Sequence, residues 1–384
     1  MTPPAGRTAY LDSARALMLL LGIPFHAGEI YRLSGGWRLE SPDVSFAATL
    51  LGGAIHVFRM PAFFLLAGFF AALVLERRGD AAWLRERCLR LGVPLACTAV
   101  AFGWLEHAVP LLLRPDVGPG AALAEAWRAG PAAWNNHRWF LVVLLLYCAS
   151  AVACRRWVPP GALERLDALR GGAGAALAFA AFLTLVPFAV AGVGALSGAG
   201  GLGLDGSAPY ENFYLRYAVF FACGYALRRL DGDLSRFARF GPLEVVLAIA
   251  SVSAYLLTHA GFHARDVVAS PYGAGVALAR TGADVVAGFY ATKLFFAGAG
   301  RFLDARAPAV DYLVDASLCI YLVHFVLVLG LGAALLPVRW PPVLEIAIIT
   351  AATLALSVAA FEATRRSALL SLALNGRPVA RPRH

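Results

Sequence analysis

Apolar runs recur along the chain at about 13–31, 54–75, 91–113, 138–154, 173–196, 213–227, 241–259, 283–300, 312–336 and 343–362. A helix needs about 20 apolar residues to cross a bilayer. Most runs are separated by turn formers or charge, such as Ser34-Gly35-Gly36, Pro159-Pro160-Gly161, the glycine-rich 198–206 and Pro341-Pro342. The pattern predicts an all-α integral membrane protein with about ten transmembrane helices. The fourth and sixth runs are short, and Lys293 weakens the eighth. With no internal repeat and no soluble appendage, one integral domain fills 1–384, with a core of 10–364 and a basic cytoplasmic tail of 365–384.

Composition excludes the main competitor. Apolar residues make up 60% of the chain and charged ones 15%, with a mean hydropathy of +0.68. That is too little charge to coat a water-soluble globule of this size. The net charge of +9 reads as topology: with the N-terminus in the cytoplasm, 22 of the 33 Lys and Arg fall in inner segments. An even number of crossings returns the C-terminus to the cytoplasm. The arginines then meet anionic membrane lipid rather than nucleic acid. Six cysteines without a C-x-x-C pair suggest neither a disulfide framework nor a zinc site, and no metal is expected. The first run lacks an A-x-A cleavage site and holds Pro24, His26 and Glu29, so it reads as a retained helix rather than a signal peptide.

Ionisable groups inside apolar runs cost about 2.5–3.5 kcal/mol each at the bilayer centre, so they mark candidate chemistry. Arg15 and His26 are eleven residues apart, which on a straight helix is about 20° off one face with a rise of roughly 16 Å. Arg15 then sits at the cytoplasmic edge, with Asp12 placed to pair with it, and His26 lies halfway up or higher. Glu29, at i+3 from His26, is placed to orient or acidify the imidazole, and Pro24 loosens the helix just below. On this topology His26, His56, His107, His137, His259, His263 and His324 all fall in the outer half or outer loops, and only His384 lies inside. With Arg59, Glu106 and Arg138 they outline a polar chamber open to the outside, suited to proton transfer. Each taken singly reads first as an interfacial polar group, and only the set points to a chamber. On the inner side, Arg77, Arg78, Arg85, Arg87 and Arg90 border the third run, where guanidinium groups fit phosphate oxygens of a polyphosphate ligand or of lipid headgroups.

Several stretches resemble one family. The Arg15-to-His26 spacing within Leu11–His26, the run His56-Val-Phe-Arg-Met-Pro61 followed by Phe63-Phe64 and Gly68, Arg90-Leu-Gly-Val-Pro94, Trp139-Phe-Leu141 and Tyr321-Leu-Val-His324 occur here. They are similar, in the same order, to the membrane-bound acyltransferase-3 family, and within it to a branch that succinylates osmoregulated periplasmic glucans. The chain departs from the family at Ala67-Gly68, where Ser-Gly is usual, and at Arg138, where the branch tends to carry Leu.

The resemblance implies a multi-pass protein of the bacterial inner membrane. It would move an acyl group from cytoplasmic acyl-CoA, succinyl-CoA first, to hydroxyls of a periplasmic glucan. His26 becomes the base or transient acyl carrier, with Glu29 and Arg15 beside and beneath it. Arg85 and Arg87, with Arg90, become the coenzyme contacts. His56, Arg59, Arg138, Trp139 and His324 line the substrate side, Arg59 or Arg138 supplying a cation for the succinyl carboxylate. Alternatives are O-acetylation of another surface polysaccharide and, from a different class, a polytopic transporter, against which the absence of half-repeats argues.

Overall fold

The computed structural model describes residues 9–155, 174, 209–261, 273–303 and 308–377. The fifth apolar run, the turns at 159–161 and 198–206, His263 and His384 lie outside the described residues. Described segments are helical, with no strand among them. In chain order the helices are α1 (Ala9–Leu20), α2 (Gly22–Glu29), α3 (Phe46–Leu75), α4 (Asp80–Leu112), α5 (Pro119–Arg128), α6 (Gly130–Trp134) and α7 (Trp139–Arg155). They are followed by α8 (Pro209–Leu230), α9 (Pro242–Gly261), α10 (Gly273–Phe302), α11 (Pro308–Leu335), α12 (Pro342–Thr364) and α13 (Ala368–Asn375).

Five of the described segments are long and apolar enough to cross a membrane: α3, α4, α7 with its preceding turn, α11 and α12. Large apolar side chains are exposed on α9 (Leu243, Val246, Ile249, Leu257) and on α12 (Val343, Leu344, Leu356). Such faces are a liability in water and an asset against lipid.

Two expectations change. The first apolar run is not one helix but two, parted at Leu21. Residues 80–90 are not a linking segment but the first turns of a 33-residue helix, which carries π-helical turns at Cys88–Gly92 and Ala99–Gly103. The structure adds α13 within the basic tail segment, its first turn capped by the Ser367 hydroxyl accepting from the Leu370 N–H at 3.3 Å. Gly376, at φ +63°, ends it in the left-handed conformation.

The chain divides into two compact units. One comprises Met1–Ala14, Gly53–Arg78 and Ser150–Ala305. Within it α3 and α8 cross in backbone contact, since a Cβ on Gly68 would overlap the Phe221 carbonyl and one on Gly224 the Leu65 carbonyl. Small residues at such crossings let helices approach closely in a membrane. Lys293, the residue that weakened the eighth run, is buried and donates to Glu244 Oε1 at 2.5 Å, with its ammonium 5.0 Å from the Phe240 ring centroid. A buried ammonium without a counter-charge would cost several kcal/mol; Glu244, in the first turn of α9, supplies one.

The second unit comprises Arg15–Gly52, Gly79–Ala149 and Arg306–His384. Its core packs α2 against α11 and α12 through Ile23, Ala27, Ile320, Phe325, Leu329 and Ile349. The Tyr31 hydroxyl donates to Glu345 Oε2 at 2.5 Å, while Glu345 Oε1 accepts the Trp340 N–H at 2.8 Å at the start of α12. Inside this unit lie both sites described next.

Candidate active site

Three histidines from three distant segments converge in the second unit. His26 comes from α2, His137 from the single 3₁₀ turn before α7, and His324 from the middle of α11. Ring centroids lie 5.4 Å apart for His26 and His324, 5.1 Å for His137 and His324, and 6.3 Å for His26 and His137. Phe325 forms the apolar wall, stacked on His137 at 4.7 Å and edge-on to His26 at 4.8 Å. His137 was visible in the sequence as one of several outer histidines and as the residue before Arg138-Trp139-Phe140-Leu141; its partner on α11 lies 184 residues away.

One carbonyl fixes two of these rings. His324 Nδ1 lies 2.6 Å and His137 Nε2 3.1 Å from the Tyr321 carbonyl oxygen. A carbonyl can only accept, so each of these nitrogens bears a proton. In the neutral form His324 then carries its lone pair on Nε2 and His137 on Nδ1. The Tyr321 hydroxyl returns a bond to the His137 carbonyl at 2.6 Å, closing the clasp.

Arg138 is placed otherwise than the sequence suggested. It is fully buried and donates to Glu106 Oε1 at 2.6 Å, Glu106 Oε2 at 3.0 Å, Thr98 Oγ1 at 3.1 Å and the Trp134 carbonyl at 3.1 Å. Its guanidinium is spent on the protein, so it is a brace beside His137 rather than a cation held out for a substrate carboxylate. Asn136 adds a donor to Glu106 Oε2 at 2.6 Å and adopts φ +36°, a backbone state uncommon outside glycine that concentrates at functional sites. Gly103, at the end of the π turn Ala99–Gly103, makes room for this arrangement: a Cβ there would overlap the Trp134 carbonyl.

The loop after α2 is anchored to the same helix. Glu29 is buried, and its Oε2 accepts from Arg32 Nη1 at 2.8 Å. Arg32 Nε in turn donates to the Gly35 carbonyl at 2.7 Å. The chain turns on Gly35 (φ +57°) and Gly36 (φ +76°), and the Gly36 N–H donates to Glu40 Oε1. Trp37 follows, its ring stacked at 21° and 6.1 Å on His26 and edge-on to Phe325 at 5.9 Å.

A second constellation forms around Arg90, on the π turn Cys88–Gly92. The basic side chains acting on it electrostatically are Arg15 of α1, Arg87 of α4 and Arg377 beyond α13. Pro94 has no N–H for the carbonyl of Arg90, and Gly376 packs directly against that carbonyl. Arg87 also lies over the buried Trp83 ring at 5.6 Å. Arg85, one turn earlier, is exposed. Arg15, Arg87, Arg90 and Arg377 thus form a basic cluster, with Glu86 also acting on Arg90, of the residue type that suits phosphate oxygens. Arg377 is the member the sequence reading left in the tail.

His56 and the buried Arg59 lie on the part of α3 that belongs to the first unit. Trp139 is half-buried at the start of α7, where its neighbour Phe140 meets Tyr321 edge-on at 5.5 Å. Among the described residues no group of three or more His, Cys, Asp or Glu is arranged to hold a metal ion.

The model of a family described as "Acyltransferase domain" matches residues 8–362. The chain belongs to the acyltransferase-3 family. It is therefore an acyltransferase, and its apolar helices make it a multi-pass membrane enzyme. Glucans biosynthesis protein C of Salmonella gallinarum (strain 287/91 / NCTC 13346) is 30% identical over 353 residues, 87% of this chain and 85% of that protein. Glucans biosynthesis protein C of Escherichia coli O81 (strain ED1a) is 28% identical over 357 residues, with the same coverage. No solved structure matches the chain. Within the acyltransferase-3 match fall all three converging histidines and every arginine of the basic cluster except Arg377.

Proposed function

We propose that this acyltransferase moves an acyl group, succinyl first, from acyl-CoA on the cytoplasmic side to a hydroxyl of a periplasmic glucan. On this reading ten helices cross the bacterial inner membrane and both termini are cytoplasmic. The observation that carries it is the convergence of His26, His137 and His324 on one apolar-walled site, in a chain whose relatives are named for glucan biosynthesis.

Acyl-CoA, when bound, supplies a thioester already activated, which suits an acceptor compartment without ATP. Arg15, Arg87, Arg90 and Arg377, with Arg85 at the rim, hold its phosphates. His26 takes the proton of the acceptor hydroxyl as its oxygen attacks the thioester carbonyl. The C–O ester bond forms, the C–S bond breaks, and the imidazolium returns its proton to the departing sulfur. His324 and His137, held in defined tautomers by the Tyr321 carbonyl, wall the site beside His26. Glu29 acts through Arg32 on the loop beside His26.

Acetyl transfer is the second reading, favoured by one observation: Arg138, a cation nominated for the succinyl carboxylate, is committed to Glu106. Purified wild-type and His26→Ala proteins offered succinyl-CoA and acetyl-CoA, with coenzyme A release followed, separate the donors. Mass spectrometry of glucans from a deletion strain complemented with each protein then identifies the product. Persistent acylation by His26→Ala would end the role given to His26; unmodified glucans with wild type would end the glucan assignment.

A further inference from the structure

The mechanism leaves unexplained how a glycan hydroxyl is brought to an imidazole walled by Phe325 and two other histidines. The loop between α2 and α3 answers this. We propose that Trp37 is the acceptor platform, a surface on which one hexopyranose ring of the glycan lies while its rim hydroxyl meets His26; this rests on the acyltransferase reading above.

The geometry is that of a built surface rather than a stray ring. Trp37 is partly buried and packs on the core of its unit, so its plane is fixed. A stack at 6.1 Å between centroids and 21° is an offset one, so the imidazole covers only part of the indole face. A pyranose offers an apolar C–H face and a rim of hydroxyls. Laid on the indole, it would turn that rim toward the adjoining imidazole, the arrangement an apolar wall with a few convergent polar groups provides.

The loop is also tied to His26's own helix. Glu29 holds Arg32, Arg32 holds the Gly35 carbonyl, and Gly35 and Gly36 turn the chain so that Trp37 falls back on His26. Beyond the ring, Leu39 is buried in the core, and the Ser41 N–H donates to the Ile30 carbonyl at 2.9 Å. The platform and the base are therefore one rigid piece, and a hydroxyl placed by one is in register with the other.

The test uses the full-length protein in detergent with succinyl-CoA and a soluble glucose oligomer, in wild type, Trp37→Phe and Trp37→Leu. Leucine keeps apolar bulk but removes the aromatic plane, so loss of packing and loss of the platform are separated. The expected result is a KM for the oligomer raised about tenfold in Trp37→Leu and about threefold or less in Trp37→Phe. Oligomer kcat/KM should fall at least as far, since the platform also sets register with His26, while the KM for succinyl-CoA stays within about twofold of wild type. An unchanged oligomer KM in Trp37→Leu, or a fall in kcat and acceptor-independent release with KM unchanged, overturns the proposal. Calorimetric titration of the same oligomer into each protein makes the outcome independent of turnover. If wild type releases no coenzyme A, the acyltransferase mechanism fails by itself; the platform then stands on a binding constant weakened about tenfold in Trp37→Leu and falls if the two bind alike.

Discussion

Removing one partner of the Glu106–Arg138 pair should cost far more than removing both. With charge centres about 4 Å apart and an effective dielectric near 20, the attraction is about 4 kcal/mol, and the burial of two ions offsets most of it. The intact pair is then close to neutral in net stability. Glu106→Gln, however, leaves a fully buried guanidinium whose two strongest bonds, at 2.6 and 3.0 Å, have lost their charge. An uncompensated buried charge of this kind costs about 3–5 kcal/mol. Asn136 loses its carboxylate as well, and His137 follows directly in the chain, so activity should fall along with stability. In the double variant Glu106→Leu with Arg138→Met no buried charge is left, and stability should return to within about 1–2 kcal/mol of wild type.

The assay is unfolding in detergent with a thiol-reactive dye, which reads exposure of the buried Cys148, Cys223 and Cys319, with the exposed Cys88, Cys97 and Cys154 replaced by Ser. With the matched single variants Glu106→Leu and Arg138→Met each costing about 3–5 kcal/mol, a coupling of at least about 4 kcal/mol is expected from the cycle. Strict additivity within about 0.5 kcal/mol would refute the buried-pair argument and with it the role of Arg138 as a brace.

Gly68→Val should prevent correct packing of α3 on α8, because its side chain would overlap the Phe221 carbonyl; a folded yield and unfolding midpoint equal to wild type would contradict that crossing. Tyr31→Phe strips a 2.5 Å hydrogen bond from the buried Glu345 and should cost about 1–3 kcal/mol in the same dye assay. Arg377→Ala should raise the KM for acyl-CoA about three- to tenfold, more at low salt than at high, and leave the KM for the glycan unchanged; an unchanged donor KM would remove Arg377 from the phosphate contacts.

How much of this was legible depends on what carries the signal. Apolar runs are local, so nine of the ten fall on described helices, with ends shifted by a few residues up to about ten; crossing itself and its sense are matters of the bilayer. Lys293 looked like a defect in its run because its counter-charge, Glu244, lies 49 residues away. Arg138 looked available for a ligand for the same reason, since Glu106 is 32 residues off. The residue types of the site were readable and their company was not: His137 and His324 meet on the carbonyl of Tyr321, a contact spanning 184 residues for His137. Of the backbone devices, the break below His26 was foreshadowed by Pro24 and the π turns by no residue type. The π turns on α4 follow from how Pro94, Gly103 and their neighbours pack, not from the composition of those turns.

The break at Leu21 ties the two constellations together. On a straight helix Arg15 and His26 would share a stripe about 20° wide, and the environment of one would constrain the other. Pro24 carries no N–H for the carbonyl of Leu20, and its ring crowds that carbonyl, so the regular pattern lapses at Leu21. The two halves can then take different directions. α1 brings Arg15 to Arg87, Arg90 and Arg377, and α2 carries His26 to His137 and His324. A group that must hold phosphate needs exposure and net positive charge, whereas a base that must stay neutral needs apolar walls and no carboxylate against its ring. A single straight helix serves both demands poorly; one parted by a proline separates Arg15 and His26 within a few turns of chain.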